Sequence, residues 1–235
     1  GQFVRVDGVL DLGEFQVEGG DQTAPYGLGG KMVSWQGVVG FSQLDSGKRS
    51  ILELDGSLAG GELRTTLEKP QLRLGQDKVE LKTKATISLG ETINMDGLSS
   101  LTLQNFALFE GENDSPSLSF DQLAITDIES RGEKTIGVKD LQTVGLKSSI
   151  PGNFPLSIDI SEIKLVDLFT EDLKNVTVRE LQVQKPLVTA VRNSAELVRL
   201  EDLTVTNISV GEEMQVGLEN VQLQNLAFLG SPDDQ

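Results

Sequence analysis

A repeated apolar pattern runs through the C-terminal part of this 235-residue chain and limits its fold more than any other feature. Seven anchor residues are separated alternately by 22 and 18 positions, so the full repeat has 40 residues and two unequal halves. The anchors are Leu101, Leu123, Leu141, Ile163, Leu181, Leu203 and Val221. Regular repetition of this kind indicates similar units packed side by side.

Each copy has the spacing of a β-strand. Apolar residues lie five and three positions before the anchor and two and five positions after it, with Asp96 and Thr143 as exceptions, and steps of two place side chains on one face of a strand. A polar pair precedes every anchor and creates a step of three, which predicts a β-bulge there. Four positions after the anchor, five copies carry Asn or Asp, which tolerate a left-handed backbone and predict a bend. These five residues are Asn105, Asp127, Asp167, Asn207 and Asn225.

The alternating spacing favours an antiparallel meander, because turns at the two edges of such a sheet can have two different lengths. A parallel solenoid would more simply give one spacing, and the Asn position does not match a leucine-rich repeat. We predict an all-β, elongated, curved and mainly antiparallel β-meander that forms a groove or open barrel. Its strands are expected to have about 10–14 residues, with breaker-rich turns at 130–134 and 149–153.

The repeat also suggests how the chain is organised. Residues 1–95 are predicted to be an irregular β region with short strands at 3–6, 9–12 and 15–17. Residues 96–230 are predicted to be the regular meander, continuous with the first part as one elongated body, and 231–235 a tail. One short helical turn is predicted at 168–173.

Composition removes most catalytic and metal chemistry. The chain has no His and no Cys, which excludes Ser-His-Asp and Cys-His catalysis and thiolate or imidazole metal sites. Residues 45–47 match the Asp-Ser-Gly tripeptide of aspartic proteases, but no second copy completes a dyad. The acidic stretch 110–114 lacks the spacing of an EF-hand loop. We therefore expect no enzyme activity, no metal and no cofactor.

The charge balance restricts the partners. A net charge of −16 and a pI of about 4.4 argue against nucleic acid and against tight docking on an anionic membrane surface. The absence of Cys is compatible with the periplasm. No apolar run reaches the ~18 residues of a membrane helix. The chain begins at Gly1 and not at Met, so we expect it to be part of a longer protein.

Three stretches resemble AsmA-like bacterial envelope proteins. Residues 176–193, which read VTVRELQVQKPLVTAVRN, are similar to a recurring segment in which an apolar strand with a central Leu-x-Leu runs through Pro into an Arg-Asn or Arg-Asp pair. Residues 160–169 and 32–54 are similar to further parts of that family. The resemblance covers about half of the chain at most. Residues 194–197 depart from it, since the family often has Gly and Asn there, and the family's N-terminal membrane anchor is absent.

The resemblance implies a function at the cell envelope. It implies a Gram-negative periplasmic protein, tethered to the inner membrane by a segment outside this chain, with envelope proteins as partners. Such a protein would form a groove that binds or conducts phospholipid or another acyl-chain lipid between the inner and outer membranes, or would otherwise support outer-membrane homeostasis. A periodic apolar face is equally compatible with a non-catalytic structural or interaction module, a solenoid or sandwich with a filled core that acts as a scaffold or adhesin. The residues predicted to line the groove are Leu123, Ile125, Ile163, Leu165, Leu181, Val183, Leu203 and Val205.

Overall fold

The computed structural model describes residues 3–19, 26–44, 49–68, 71–89, 93–112, 114–131, 135–151, 155–171, 175–190, 195–211 and 216–229. The tripeptide at 45–47 and the predicted tail at 231–235 lie outside these ranges. All regular structure within them is β. The strands are β1 (Phe3–Leu12), β2 (Phe15–Gly19), β3 (Tyr26–Leu44), β4 (Arg49–Glu68), β5 (Gln71–Leu89), β6 (Ile93–Glu110), β7 (Leu118–Arg131), β8 (Thr135–Ile150), β9 (Leu156–Glu171), β10 (Asn175–Gln184), β11 (Leu187–Ala190), β12 (Ala195–Arg199), β13 (Asp202–Val210), β14 (Val216–Gly217), β15 (Asn220–Gln224) and β16 (Ala227–Phe228).

The sixteen strands form one antiparallel sheet in which the chain meanders from one edge to the other. Short strands lie end to end: β1 with β2, β10 with β11, β12 with β13, and β14 with β15 and β16. Eleven strand lines result, each paired with the lines before and after it in the chain. The sheet does not close, so β1 and β2 form one edge and β14, β15 and β16 form the other. The predicted open, curved meander is therefore confirmed.

Pairing within the sheet follows the 40-residue repeat without stagger. Leu165 pairs with Leu141 on one side and with Leu181 on the other, and these two partners are 40 residues apart. Leu203 pairs in the same way with Val183 and Leu223. Equivalent positions of successive repeats therefore form straight rows that cross the strands.

Every anchor is followed, four residues later, by a residue with a left-handed backbone. These seven kink positions are Asn105, Asp127, Gly145, Asp167, Lys185, Asn207 and Asn225, with φ between 48° and 67°. The prediction for the five Asn and Asp residues is confirmed. Gly145 and Lys185 occupy the same position in the two copies that have neither residue type.

The bulge predicted at the polar pair is wrong, since no copy has an inserted residue there. The ladder of β6 and β7 does shift between Ser99 and Leu101, but its extra residue lies on β7, where Thr126 and Asp127 face Ser100. The later ladders have the same register on both sides of the pair. The reason is that the polar pair lies opposite two residues of the neighbouring strand, and one of those two is a kink position. An example is the pair Lys139 and Asp140, which lies opposite Asp167 and Val166. Both strands turn together, so no inserted residue is required.

Three strands of the repeat are longer than predicted, because pairing continues across the kinks, whereas β7 with 14 residues and β10 with 10 agree with the prediction. β6 has 18 residues, and β8 and β9 have 16 each. The helical turn predicted at 168–173 is wrong over its described part, since Leu168 to Glu171 belong to β9. The two separate strands predicted at 3–6 and 9–12 form the single strand β1.

Candidate functional site

Two rows of aliphatic residues cross the middle of the sheet. The first central row contains the paired residues Leu101, Ile125, Leu141, Leu165, Leu181, Val205 and Val221. The second central row contains Leu103, Leu123, Thr143, Ile163, Val183, Leu203 and Leu223. The two rows are two residues apart on every strand, so their side chains share one face of the sheet.

All eight residues predicted to line a groove lie in these two rows. Ile125, Leu165, Leu181 and Val205 belong to the first central row, and Leu123, Ile163, Val183 and Leu203 belong to the second. The structure thus places them together as neighbours. Their role in ligand binding stays a prediction.

The central rows extend through the N-terminal strands, which sequence reasoning missed. Leu81 lies opposite Leu101 and Val79 opposite Leu103. The first row continues from Leu81 through Leu58 and Trp35 to Leu10. A signal was present in β4, where Leu58, Gly60 and Leu63 have the spacing of an anchor and the residues two and five positions after it. The signal is weak because Gly60 stands at a position that is apolar in most other copies.

The three-residue step does not move the apolar side chains to the other face. A Cβ on Gly60 would lie 3.6 Å from Cγ2 of Val33 and 3.8 Å from Cδ1 of Leu63, which is three residues further along. Between them Glu62 has a φ of 49°. The left-handed residue therefore absorbs the odd step, and the residues on both sides of a kink face the same way.

Further apolar rows flank the central pair beyond the kinks. On one side Ile128, Val138, Leu168, Val178 and Ile208 pair in sequence. On the other side Phe106 pairs with Phe120, and their rings stack with centroids 4.6 Å apart. A cavity of about 420 Å³ lies along this second side, where Leu146, Ile160 and Leu200 contribute apolar lining.

The opposite face of the sheet is polar. Gln142 Nε2 donates to Glu162 Oε1 at 2.7 Å, and Lys78 Nζ lies 2.7 Å from Glu80 Oε1. The hydrogen bond and charge of Lys78 lower the pKa of Glu80. Polar side chains are stable in contact with water, so this face can be exposed to solvent. Only the apolar face gains stability when a partner or the curvature of the sheet shields it from water.

The apolar face belongs to a single sheet, which contains every described strand. The nine most buried residues, apart from glycines, all lie on this face: Gln76, Ala85, Ser130, Thr143, Thr170, Val178, Ala190, Leu200 and Val205. Val205 is only 7% exposed, and every described strand belongs to the same sheet. Some positions of this face are therefore strongly shielded, although no large side chain on the described residues is fully buried.

Polar side chains on the outside clamp the kinks. Asn105 Nδ2 donates to Asp77 Oδ2 at 2.9 Å, and Arg179 Nε lies 2.7 Å from Asp167 Oδ2. Asn207 bonds Glu219 in the same way. In each case the kink residue bonds the residue beside it on the adjacent strand. Such contacts account for the polar residue two positions before the anchor in four repeats, namely Lys139, Arg179, Glu201 and Glu219.

The apolar face contains few polar atoms. The indole Nε1 of Trp35 and the hydroxyls of Ser130 and Thr170 are buried without a hydrogen-bond partner from the protein. Thr83 and Ser99 bond each other at 2.7 Å. No cluster of three or more carboxylates that could hold a metal ion occurs among the described residues, and no described helix is long and apolar enough to span a membrane.

Comparison with known proteins gives no match to a family model, to a curated protein or to a solved structure.

Proposed function

We propose that this chain is a segment of an AsmA-like periplasmic groove that binds the acyl chains of phospholipid and conducts them between the inner and outer membranes. The observation that carries the proposal is the pair of central rows, which place aliphatic side chains on ten of the eleven strand lines, with Trp35 on the other, along one face of a sheet that does not close. Such a face favours hydrocarbon over water, because about 25 cal/mol is gained for each Å² of apolar surface that leaves water.

The dimensions of the trough suit acyl chains lying along the rows. Eleven strand lines spaced by roughly 4.8 Å give a length of about 48 Å. One leaflet of a bilayer is about 15 Å thick in its hydrocarbon part, half of the ~30 Å core. Acyl chains could therefore occupy several successive positions, as movement along a groove requires.

Uniformity along the rows also supports conduction. Leu and Ile recur at each step, and the repeat brings the same side-chain environment back every 40 residues. A ligand that moves by one repeat finds nearly the same contacts, so no single position should trap it. With no His and no Cys in the chain, we assign no catalytic step to this face.

Lipid co-purification tests the proposal. Native mass spectrometry of the purified chain, followed by lipid extraction, should show bound phospholipid. The matched variants are Ile125→Asp, between Leu101 and Leu141 on the apolar face, and Ala124→Asp, between Thr102 and Gln142 on the polar face. Both add one negative charge to β7 at adjacent positions.

The expected result is that Ile125→Asp loses the lipid and Ala124→Asp keeps it, with the same β-type circular dichroism in both. A wild-type chain that carries no lipid and takes up no fluorescent phospholipid would overturn the proposal. That outcome would favour the alternative, a scaffold whose apolar face only fills its own interior.

A further inference from the structure

Two kink positions depart from the residue types that the other kink positions share, and both line the same cavity. Gly145 and Lys185 stand where the other copies of the repeat have Asn or Asp. The cavity is the one of about 420 Å³ beside Leu146, Ile160 and Leu200, and Gly145 and Lys185 both belong to its lining. Where a sequence breaks a local rule of its own fold, the break often marks a functional site. The two departures therefore point to this cavity.

The cavity opens on the polar face of the sheet. Apart from Leu146, Ile160 and Leu200, its lining consists of residues that directly precede or follow one of these three or Pro186 in the sequence. Side chains alternate between the two faces of a strand, so those neighbours point away from the apolar face. The cavity is therefore distinct from the central rows, and what it binds is independent of what they bind.

The polar contacts that clamp other kinks are interrupted at the cavity. Elsewhere a kink residue bonds the residue beside it on the adjacent strand. Gly145 has no side chain that could reach across, and Ser161, on the strand between the two kink positions, has a short one. The Asp121 carboxylate lies against Gly145 but does not line the cavity. The small residues on β8 and β9 thus leave space on the polar face that long side chains would otherwise fill.

The lining has a positive net charge in a chain whose own net charge is −16. Its charged residues are the cations Lys147, Lys185 and Arg199 and the carboxylates Asp159 and Glu201. Both carboxylates accept a hydrogen bond from another side chain, and Arg199 is paired with a glutamate. Lys147 and Lys185 make no ion pair or side-chain hydrogen bond within the described part of the chain. Charges more than about 8 Å away are largely screened at physiological ionic strength, so an anion at the cavity meets chiefly these two ammonium groups.

An aliphatic residue adds an apolar surface to the charged lining. Leu187 lies between Asp159 and Arg199 in a row of the polar face, where water would favour a polar side chain. It lines the cavity together with Leu146, Ile160 and Leu200. A volume of about 420 Å³ lies in the range of roughly 300–1,000 Å³ that is usual for small-molecule sites. The cavity thus combines unpaired cations with an apolar wall, at a size that suits a small molecule.

We propose that this cavity binds a small amphiphilic anion, a carboxylate or phosphate carried on a short alkyl chain. Ammonium groups form charge-assisted hydrogen bonds with the oxygens of both anions, and such bonds are stronger than neutral ones. In the complex Lys147 and Lys185 contact the anionic head, and the alkyl chain packs on Leu187.

Calorimetric titration of the purified chain with octanoate and with monooctyl phosphate tests the proposal and separates the two kinds of head. Wild type should bind one equivalent of at least one of them. Octanol, which has the chain without the charge, and acetate, which has the charge without the chain, should bind roughly tenfold more weakly or less. Leu187→Thr should weaken octanoate or octyl phosphate binding in the same way, because it removes apolar surface but keeps a residue that favours strands.

The decisive variant is Lys185→Asn, which gives this copy the kink residue that three other copies have and should keep the circular dichroism of the wild type. It should weaken binding by roughly tenfold, whereas Lys185→Arg should retain it. Lys139→Asn is the matched control, since it removes the same charge from β8 at a distance of roughly 20 Å from Gly145 and should leave binding unchanged.

Four outcomes would overturn the proposal. The first is a wild type that binds neither anion, and the second is octanol binding as tight as that of the anions. The third is a Lys185→Asn variant that binds as tightly as the wild type, since the ligand would then lie elsewhere, for example on the apolar face. The fourth is an equal loss of affinity in Lys139→Asn and Lys185→Asn, since that would reflect the overall charge and not the cavity.

Discussion

Asp167 offers a sharp test of whether the kinks depend on residues that tolerate a left-handed backbone. Its φ is 50°, and its carboxylate lies 2.7 Å from Arg179 Nε on the neighbouring strand. A left-handed backbone costs most L-residues about 1–2 kcal/mol, and a β-branched side chain suffers more than Asp. The ion pair is half exposed on both sides and contributes at most about 1 kcal/mol.

These magnitudes separate two substitutions at the same site. Asp167→Val loses the ion pair and strains the backbone, so we expect it to lower the free energy of unfolding by roughly 2–3 kcal/mol. Asp167→Gly loses the same ion pair but relieves the backbone, so its change should stay within about 1 kcal/mol. Urea unfolding followed by circular dichroism measures both.

Asp55→Val is the matched control. Asp55 is also an exposed strand aspartate with a lysine partner on the next strand, Lys84 at 3.9 Å, but it does not have a positive φ. Valine there should be neutral or slightly stabilising, because Val favours strands and Asp does not. Equal losses for Asp167→Val and Asp167→Gly, or a loss at Asp55 as large as at Asp167, would refute the reasoning.

Three further predictions use other parts of the sheet. Gly145→Ala should destabilise the fold by more than about 1–2 kcal/mol in urea unfolding, since φ is +67° and the new Cβ would collide with the Asp121 carboxylate; Asp121→Ala in the same background should restore part of the loss. Lys78→Met should raise the pKa of Glu80 toward its ordinary value in an NMR titration. Because the folded-state pKa of Glu80 is lowered, its pairing stabilises the fold above the unfolded-state pKa, and the contribution is lost as pH falls through the folded-state pKa. The fluorescence of Trp35, the only Trp, should shift to the blue when phospholipid is added, and an unchanged spectrum despite bound lipid would remove Trp35 from the lining.

The regular half of the fold could be predicted from the spacing of apolar residues along the chain, because every repeat has the same spacing. Apolar residues two apart specify strands, and the alternating spacing specifies the antiparallel order. Asn105 and Asp127 marked the kinks, since few residues other than Gly accept a positive φ. The eight predicted lining residues lie in adjacent rows for the same reason.

Pairing between strands decided three features that the spacing of residues along one strand left ambiguous: the bulge at the polar pair, the kink at Lys185 and the end of β9. The polar pair could equally be read as an inserted bulge, and only the neighbouring strand shows that two residues oppose two. Lys185 has no local preference for a left-handed backbone, yet the register places it at a kink. Leu168 to Glu171 extend β9 because Gly137 and Val138 of β8 pair with Phe169 and Leu168.

The sequence by itself therefore determined the strand content, the antiparallel order and the apolar residues that share a face, because these depend on side-chain periods along one strand. The tertiary structure alone decided the straight rows and their extension through β3, β4 and β5. Those features depend on register between strands that are distant in the chain. Hydrogen bonding across a sheet fixes that register, and no single stretch of sequence contains it.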